Sequence, residues 1–179
     1  MTPSLSSPSP RYDARTILLH WLTAGLVAFQ WLGGQLIDEL PRGPLRGNMW
    51  SLHFTLGILL ALLVVARLVW RVRGGRRLPP EPGLPGLAAR AVHGLLYLLL
   101  LVTLGAGLFW IWVRGSNFFG LFSLPVFDPA NPGLRRSVGE WHETAANLLL
   151  LLAGLHAAAA LLHHYLWKDG VLRRMGWGG

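Results

Sequence analysis

The stretch Gly139–Met175, GEWHETAANLLLLLAGLHAAAALLHHYLWKDGVLRRM, is a long apolar run carrying four histidines: His142, His156, His163 and His164. An α-helix turns about 100° per residue, so a step of about 14 residues returns it to within about 40° of its starting direction. His142 and His156 have that spacing, which sets both on one face, about 21 Å apart along the axis. His163 follows seven residues later on the same stripe. A hydrocarbon core is about 30 Å thick, so this one helix carries a histidine near each end of a membrane span. An ionisable side chain inside a bilayer is costly and is a functional candidate by default. The competing reading is an imidazole hydrogen-bonded to a neighbouring helix, and two of them on one stripe at opposite depths weaken it.

The rest of the chain agrees with a membrane setting. Of 179 residues, 53% are hydrophobic and 13% charged, a membrane composition rather than that of a soluble core. There is no cysteine, which excludes disulfides, thiolate metal sites, iron–sulfur clusters and covalent attachment of haem through CxxCH. The formal net charge of +8 reads as membrane topology and pairing with anionic groups, not as nucleic-acid binding.

Residues 1–15, MTPSLSSPSPRYDAR, are rich in Ser and Pro and are expected to form a disordered extension. The remainder, 16–175, is expected to be an all-α, integral membrane four-helix bundle with spans at about 16–37, 49–72, 89–113 and 141–167. The loop 114–140 is aromatic enough to lie partly in the interface. Eleven Lys and Arg residues fall on the side of the termini and the second loop, and five on the other. By the positive-inside rule both termini are cytoplasmic.

That orientation assigns depth. His20 and His156 lie toward the cytoplasm, and His53 and His142 toward the outside. Each pair draws on two helices, as two six-coordinate haems stacked across a bilayer require, since one iron takes an imidazole on each face of the porphyrin. His93 also lies at the cytoplasmic level, and spacing alone does not choose between it and His20. Small residues such as Gly57, Gly154 and Ala157–Ala160 offer clearance for a flat macrocycle, although small-residue packing is common between membrane helices. Arg67 and Arg15 are candidate propionate partners for the inner haem, and Arg46 and Arg114 for the outer. Each has the competing reading of a snorkelling or topology-setting arginine.

Several motifs together resemble the bacterial cytochrome b561 family of small, four-helix, di-haem inner-membrane proteins. They are LHW at His20, HxxxG at His53–Gly57 with RLVWR after it, HGLLY at His93, WHETAAN at His142 and GLHAAAALLHHYLWKDGVLRRM. The resemblance runs from Arg11 to Met175 and is nearest to the superoxide oxidase branch (superoxide:ubiquinone oxidoreductase). It implies axial ligands from the first, second and fourth helices, hence His20, His53, His142 and His156, with His93 outside the iron shell. It also implies two haem b groups that carry electrons from superoxide at the outer face to ubiquinone. The short loops offer little docking surface, so no obligatory protein partner is expected.

Two axial imidazoles leave iron no open position, so such haems carry electrons and do not bind oxygen. Outer arginines, among them Arg42, Arg46, Arg114, Arg135 and Arg136, are the candidate source of a field that draws in a small anion. The quinone head group is expected near His163, Trp167 and Lys168. There the imidazole can relay protons, and Lys168 can stabilise developing negative charge. Interfacial anchoring is the plainer role of Trp and Lys. The competing functions are a haem b electron-transfer subunit serving a dehydrogenase or hydrogenase, and a histidine-lined metal transporter. Ligand pairs at two separate levels, with few carboxylates in the spans, count against the transporter.

Overall fold

The computed structural model describes residues 11–76, 78–79 and 82–176. Four long helices form the molecule: α1 (Ala14–Ile37), α2 (Pro44–Arg73), α3 (Gly83–Arg114) and α4 (Pro132–Leu162). All four are long and apolar enough to cross a membrane. The chain is therefore a membrane four-helix bundle. Helix neighbours follow the order α1, α2, α3, α4 and back to α1, with the α1–α2 and α3–α4 hairpins most closely packed. In that ring α2 and α4 stand diagonally opposed.

Local chemistry sets the helix ends. Asp13 caps α1, its Oδ1 accepting from the Thr16 N–H at 2.9 Å and its Oδ2 from the Thr16 hydroxyl at 2.6 Å. Pro44 and Pro132 occupy first-turn positions of α2 and α4, where a missing N–H costs nothing. Asn131 caps α4 by accepting from the Leu134 N–H at 3.0 Å. Gly115 ends α3 at φ 67°, and a Cβ there would meet Val126 Cγ2 at 2.6 Å, so the turn requires glycine.

Helices α2, α3 and α4 begin earlier than the hydropathy-based spans. Pro85 and Pro132 fall in the first turns of α3 and α4, where proline has no backbone bond to break. Between α3 and α4 the chain forms a two-stranded hairpin, β1 (Asn117–Phe118) with β2 (Phe122–Ser123). It is pinned to α2 by Ser51, whose hydroxyl accepts from the Phe119 N–H at 3.0 Å and donates to the Asn117 carbonyl at 3.1 Å.

After α4 the helix widens into a π-turn, His163–Trp167, and a 3₁₀ turn, Leu172–Met175, folds back. The Trp21 indole donates to the Met175 carbonyl at 2.9 Å, and the Tyr12 N–H to the Arg174 carbonyl at 3.2 Å. Of the expected disordered extension, residues 1–10 lie outside the described residues. Residues 14–15 are already helical, because Asp13 caps the first turn.

Large apolar side chains such as Leu62, Val72, Leu98 and Leu151 are exposed on the outer surface, as lipid contact demands. Leu60, Val64, Leu100 and Leu149 form a buried cluster in mid-bundle. It separates the end that carries the hairpin from the end that carries the chain termini.

Candidate haem site

At the hairpin end His53 of α2 and His142 of α4 face one another across the diagonal. Their ring centroids are 6.4 Å apart and their planes at 90°. A metal–imidazole bond is about 2 Å, and a ring nitrogen lies about 1.1 Å from its centroid. Two imidazoles sharing one ion therefore have centroids roughly 6.2 Å apart, close to the separation seen. Among the described residues no three of His, Asp and Glu converge as a metal cluster. Two facing imidazoles without a third protein ligand suit an iron whose other ligands come from a porphyrin.

Hydrogen bonding supports the same use. His142 Nδ1 lies 2.9 Å from the Thr103 carbonyl. A carbonyl only accepts, so Nδ1 carries the proton and the Nε2 lone pair is available to a metal. His53 Nδ1 is buried without a hydrogen-bond partner among the described residues, and buried polar atoms normally have one. The His53 carbonyl is held by buried Gln30, whose amide donates to it at 2.8 Å.

Gly107 leaves room for the His142 ring: a Cβ there would sit 2.7 Å from its Cε1. Around the pair lies a cavity of about 330 Å³, lined among others by Gly34, Gly57, Leu60, Leu104 and Gly107. Its walls are mainly apolar, as cofactor sites are. The residues present fit haem b at this end, with His53 and His142 as the candidate iron ligands.

Arg114 lies beside this pair in an aromatic box. Its guanidinium carbon is 4.9 Å from the Trp50 ring centroid, 5.7 Å from Trp110 and 5.8 Å from Phe54. Trp50 also packs edge-on to His53 at 5.6 Å, and Trp110 tilts against His142 at 5.9 Å. Arg46 is paired with Asp38, and Arg136 with Glu140 at 2.8 Å. Of the arginines considered for this end, Arg114 is the one the fold places against the histidine pair.

The terminal end is arranged differently. Arg67 Nη2 lies 3.0 Å from His20 Nδ1. A guanidinium only donates, so Nδ1 accepts and the ring proton sits on Nε2. Arg67 also lies over the Tyr97 ring at 5.3 Å. His156 meets His93, with ring centroids 5.2 Å apart, and His93 Nδ1 lies 2.6 Å from the Ala89 carbonyl. His20 is within electrostatic range of Arg67, His156 and His93. The fold therefore gathers His20, His156, His93 and Arg67 in one cluster. Arg15 stacks over Trp70 at 4.8 Å.

Beyond the cluster, His163 packs edge-on to Trp167 at 4.4 Å and is paired with Asp169. Lys168 lies on another side, in a pocket of about 190 Å³ with His164, Tyr165, Gly170 and Arg173. Trp167 and His163 do not line it.

Sequence reasoning passed over Gln30, Tyr97, Thr103, Gly107 and Asp169. One signal was available for the aromatic box: Trp110 precedes Arg114 by four residues, and Trp50 precedes Phe54 by four, which puts each pair on one helix face. Thr103 acts through its backbone, so no side-chain pattern announces it.

Similarity to known proteins gives the family. The prokaryotic cytochrome b561 family matches residues 11–178. The probable superoxide oxidase CybB of Yersinia pestis is 35% identical over 170 residues, 92% of this chain and 95% of that protein. Cytochrome b561 homolog 1 of Escherichia coli K12 is 33% identical over 92% of this chain and 96% of its own length. Cytochrome b562 of Cereibacter sphaeroides is 32% identical over 93% and 95%. With the family's motifs on four membrane helices and two facing imidazoles across the bundle, the chain belongs to the prokaryotic cytochrome b561 family, multi-pass bacterial membrane proteins that bind haem b and transfer electrons.

Proposed function

We propose that this protein is a superoxide:quinone oxidoreductase of the bacterial inner membrane, carrying electrons through two haem b groups from superoxide to ubiquinone. The observation that carries the reading is the His53–His142 pair at 6.4 Å, with Arg114 beside it. A relative of 35% identity named a probable superoxide oxidase supports the choice of donor.

Each haem, when bound, supplies one-electron transfer. His53 and His142 would together hold the haem b of the hairpin end, one from each side, and a group so held would supply electron transfer without binding oxygen. Arg114 is the cation there that draws in a small anion or holds a propionate, since a desolvated guanidinium on aromatic faces keeps its full charge. The apolar layer Leu60, Val64, Leu100 and Leu149 excludes water between the two ends. At the terminal end His20 and His156 are the residues that would hold the second haem b. Two donors cannot face each other, so ligation through His20 Nε2 requires Arg67 to release Nδ1, and a propionate is an acceptor that guanidinium can take instead. Arg15 and Arg46 remain as peripheral cations. His163 and Trp167, which pack edge-on, receive the quinone head group, and Lys168, in the neighbouring pocket, contributes its positive charge from the side.

The termini are proposed to be cytoplasmic, which puts the hairpin end outside. A reporter fused after Gly179 is then active as a cytoplasmic protein, and alkaline phosphatase activity there would reverse the direction of electron flow. The functional test is stopped-flow mixing of the purified protein with superoxide. Haem bands reduce on mixing, and a ubiquinone analogue reoxidises them. Haems that stay oxidised in superoxide would eliminate the proposed donor.

A further inference from the structure

The sequence leaves the helix at its most chemically dense point. Instead of ending at Leu162, α4 widens into the π-turn His163–Trp167, and Lys168 takes a left-handed conformation at φ 53°. Single π-turns within longer helices recur at functional sites. The effect here is to curl the chain back, so that Asp169, six residues on, reaches His163. Asp169 Oδ2 accepts from His163 Nδ1. The other carboxylate oxygen, Oδ1, accepts from the Val171 N–H at 3.0 Å, and the Asp169 N–H donates to the His163 carbonyl at 3.4 Å. The carboxylate is thus held from both sides, and it holds one edge of the imidazole.

We infer that Asp169 is a positioning residue for quinone reduction: it fixes the His163 tautomer with the proton on Nδ1 and leaves Nε2 to exchange a proton with a quinone oxygen. The inference rests on the proposal that His163 meets the quinone. A carboxylate on one ring nitrogen orients an imidazole and stabilises its charged form when the other nitrogen is protonated. The His163 hydrogen bond outweighs slight burial, which acts the other way, and with the Val171 N–H holds the Asp169 carboxyl below the usual carboxylate range, so it stays ionised. Arg174 adds to this, and Lys168, His164, Tyr165 and Arg173 are further charged or titratable neighbours around this turn.

The balance is simple. Two superoxide anions are oxidised to two dioxygen molecules, and their two electrons with two protons convert the quinone to the quinol. For each proton delivered here, an Nε2–H bond breaks and a quinone O–H bond forms. His163 is then reprotonated at Nε2 by water at the adjacent membrane surface. Nδ1 keeps its proton and Asp169 its charge throughout.

The test uses the purified protein with both haems, pre-reduced and mixed with a short-chain ubiquinone analogue. His163→Ala is measured first, and an unchanged reoxidation rate would remove the quinone reading itself. If His163→Ala is slow, Asp169→Ala is expected to lower the limiting reoxidation rate about tenfold, the scale of lost orientation behind a functional histidine. The half-saturating quinone concentration and the rate of haem reduction by superoxide should not change. Added acetate should restore part of the rate. In the His163→Ala background, Asp169→Ala should have no further effect. Should Asp169→Ala disturb haem content, Asp169→Asn keeps an oxygen acceptor for Nδ1–H but loses the charge, and it is expected to be slowed less. An unchanged limiting rate in both Asp169 variants would overturn the inference and leave the quinone site in place. So would an equal loss with His163 already removed.

Discussion

The two ends of the bundle present histidines in opposite states of preparation. At the hairpin end, His53 and His142 come from diagonally opposed helices, and the bundle's own width keeps their rings 6.4 Å apart. The Thr103 carbonyl sets the His142 tautomer. At the terminal end His20 and His156 come from adjacent helices. His20 accepts from Arg67, and His156 rests against His93. Diagonal placement therefore creates a gap that side chains do not fill, while adjacent placement lets neighbouring polar groups satisfy one another. The first geometry suits a ligand held on two opposite faces, and the second suits a site where a side chain must trade one partner for another.

The largest expected effect tests the diagonal pair directly. His142→Ala or His53→Ala should remove the hairpin-end haem and leave the other, reducing a pyridine haemochrome count from two per chain to one. Two haems surviving either change would break the pairing. Gly107→Val should act through space rather than ligation. Even a Cβ at this position falls 2.7 Å from the His142 ring, and overpacking of this kind costs about 1–3 kcal/mol, or about 5- to 150-fold in haem affinity at that end alone. Equal weakening at both ends would show that Gly107 acts on the whole bundle.

A smaller effect is expected at Asp13, which ties the terminal end together. Burial pushes its carboxyl pKa up, but the Thr16 side chain and backbone, the Arg76 N–H and the Trp70 indole outweigh this and hold it well below the ordinary 3.8. The stabilisation is therefore fully present above the ordinary value and is lost only as pH falls through the folded one. Asp13→Ala should cost about 1 kcal/mol as a lost cap, read as a lower thermal midpoint in detergent at neutral pH. The difference from the parent protein should shrink in strong acid. The smallest effect sharpens the terminal end: His93→Ala should keep both haems. Loss of one would make His93, not His20, the partner of His156.

Much of the fold was legible because membrane helices advertise themselves. The hydropathic runs predicted four helices, and the structure has them. The helices extend beyond the apolar runs at Pro85 and Pro132, since proline is disruptive inside a helix but harmless in a first turn. The Gly107 clearance stayed hidden for another reason. A glycine in LGAG looks the same whether its missing Cβ makes room for an imidazole on another helix or for nothing at all.

What the sequence determined by itself is whatever lies along one helix. The positions of His142 and His156 on a single stripe follow from the helical repeat, and so does the pairing of Trp110 with Arg114 on one face. The absence of cysteine settles that any haem is bound without thioether links. Tertiary structure decided everything that crosses between helices or leaves the helical repeat. It set His53 opposite His142, His93 against His156, Arg67 on His20, and Asp169 back onto His163 through the π-turn. The physical reason is that helix rise and twist are set by covalent geometry and backbone hydrogen bonds, which are the same in any helix. Which faces meet depends instead on side-chain packing summed over the whole bundle.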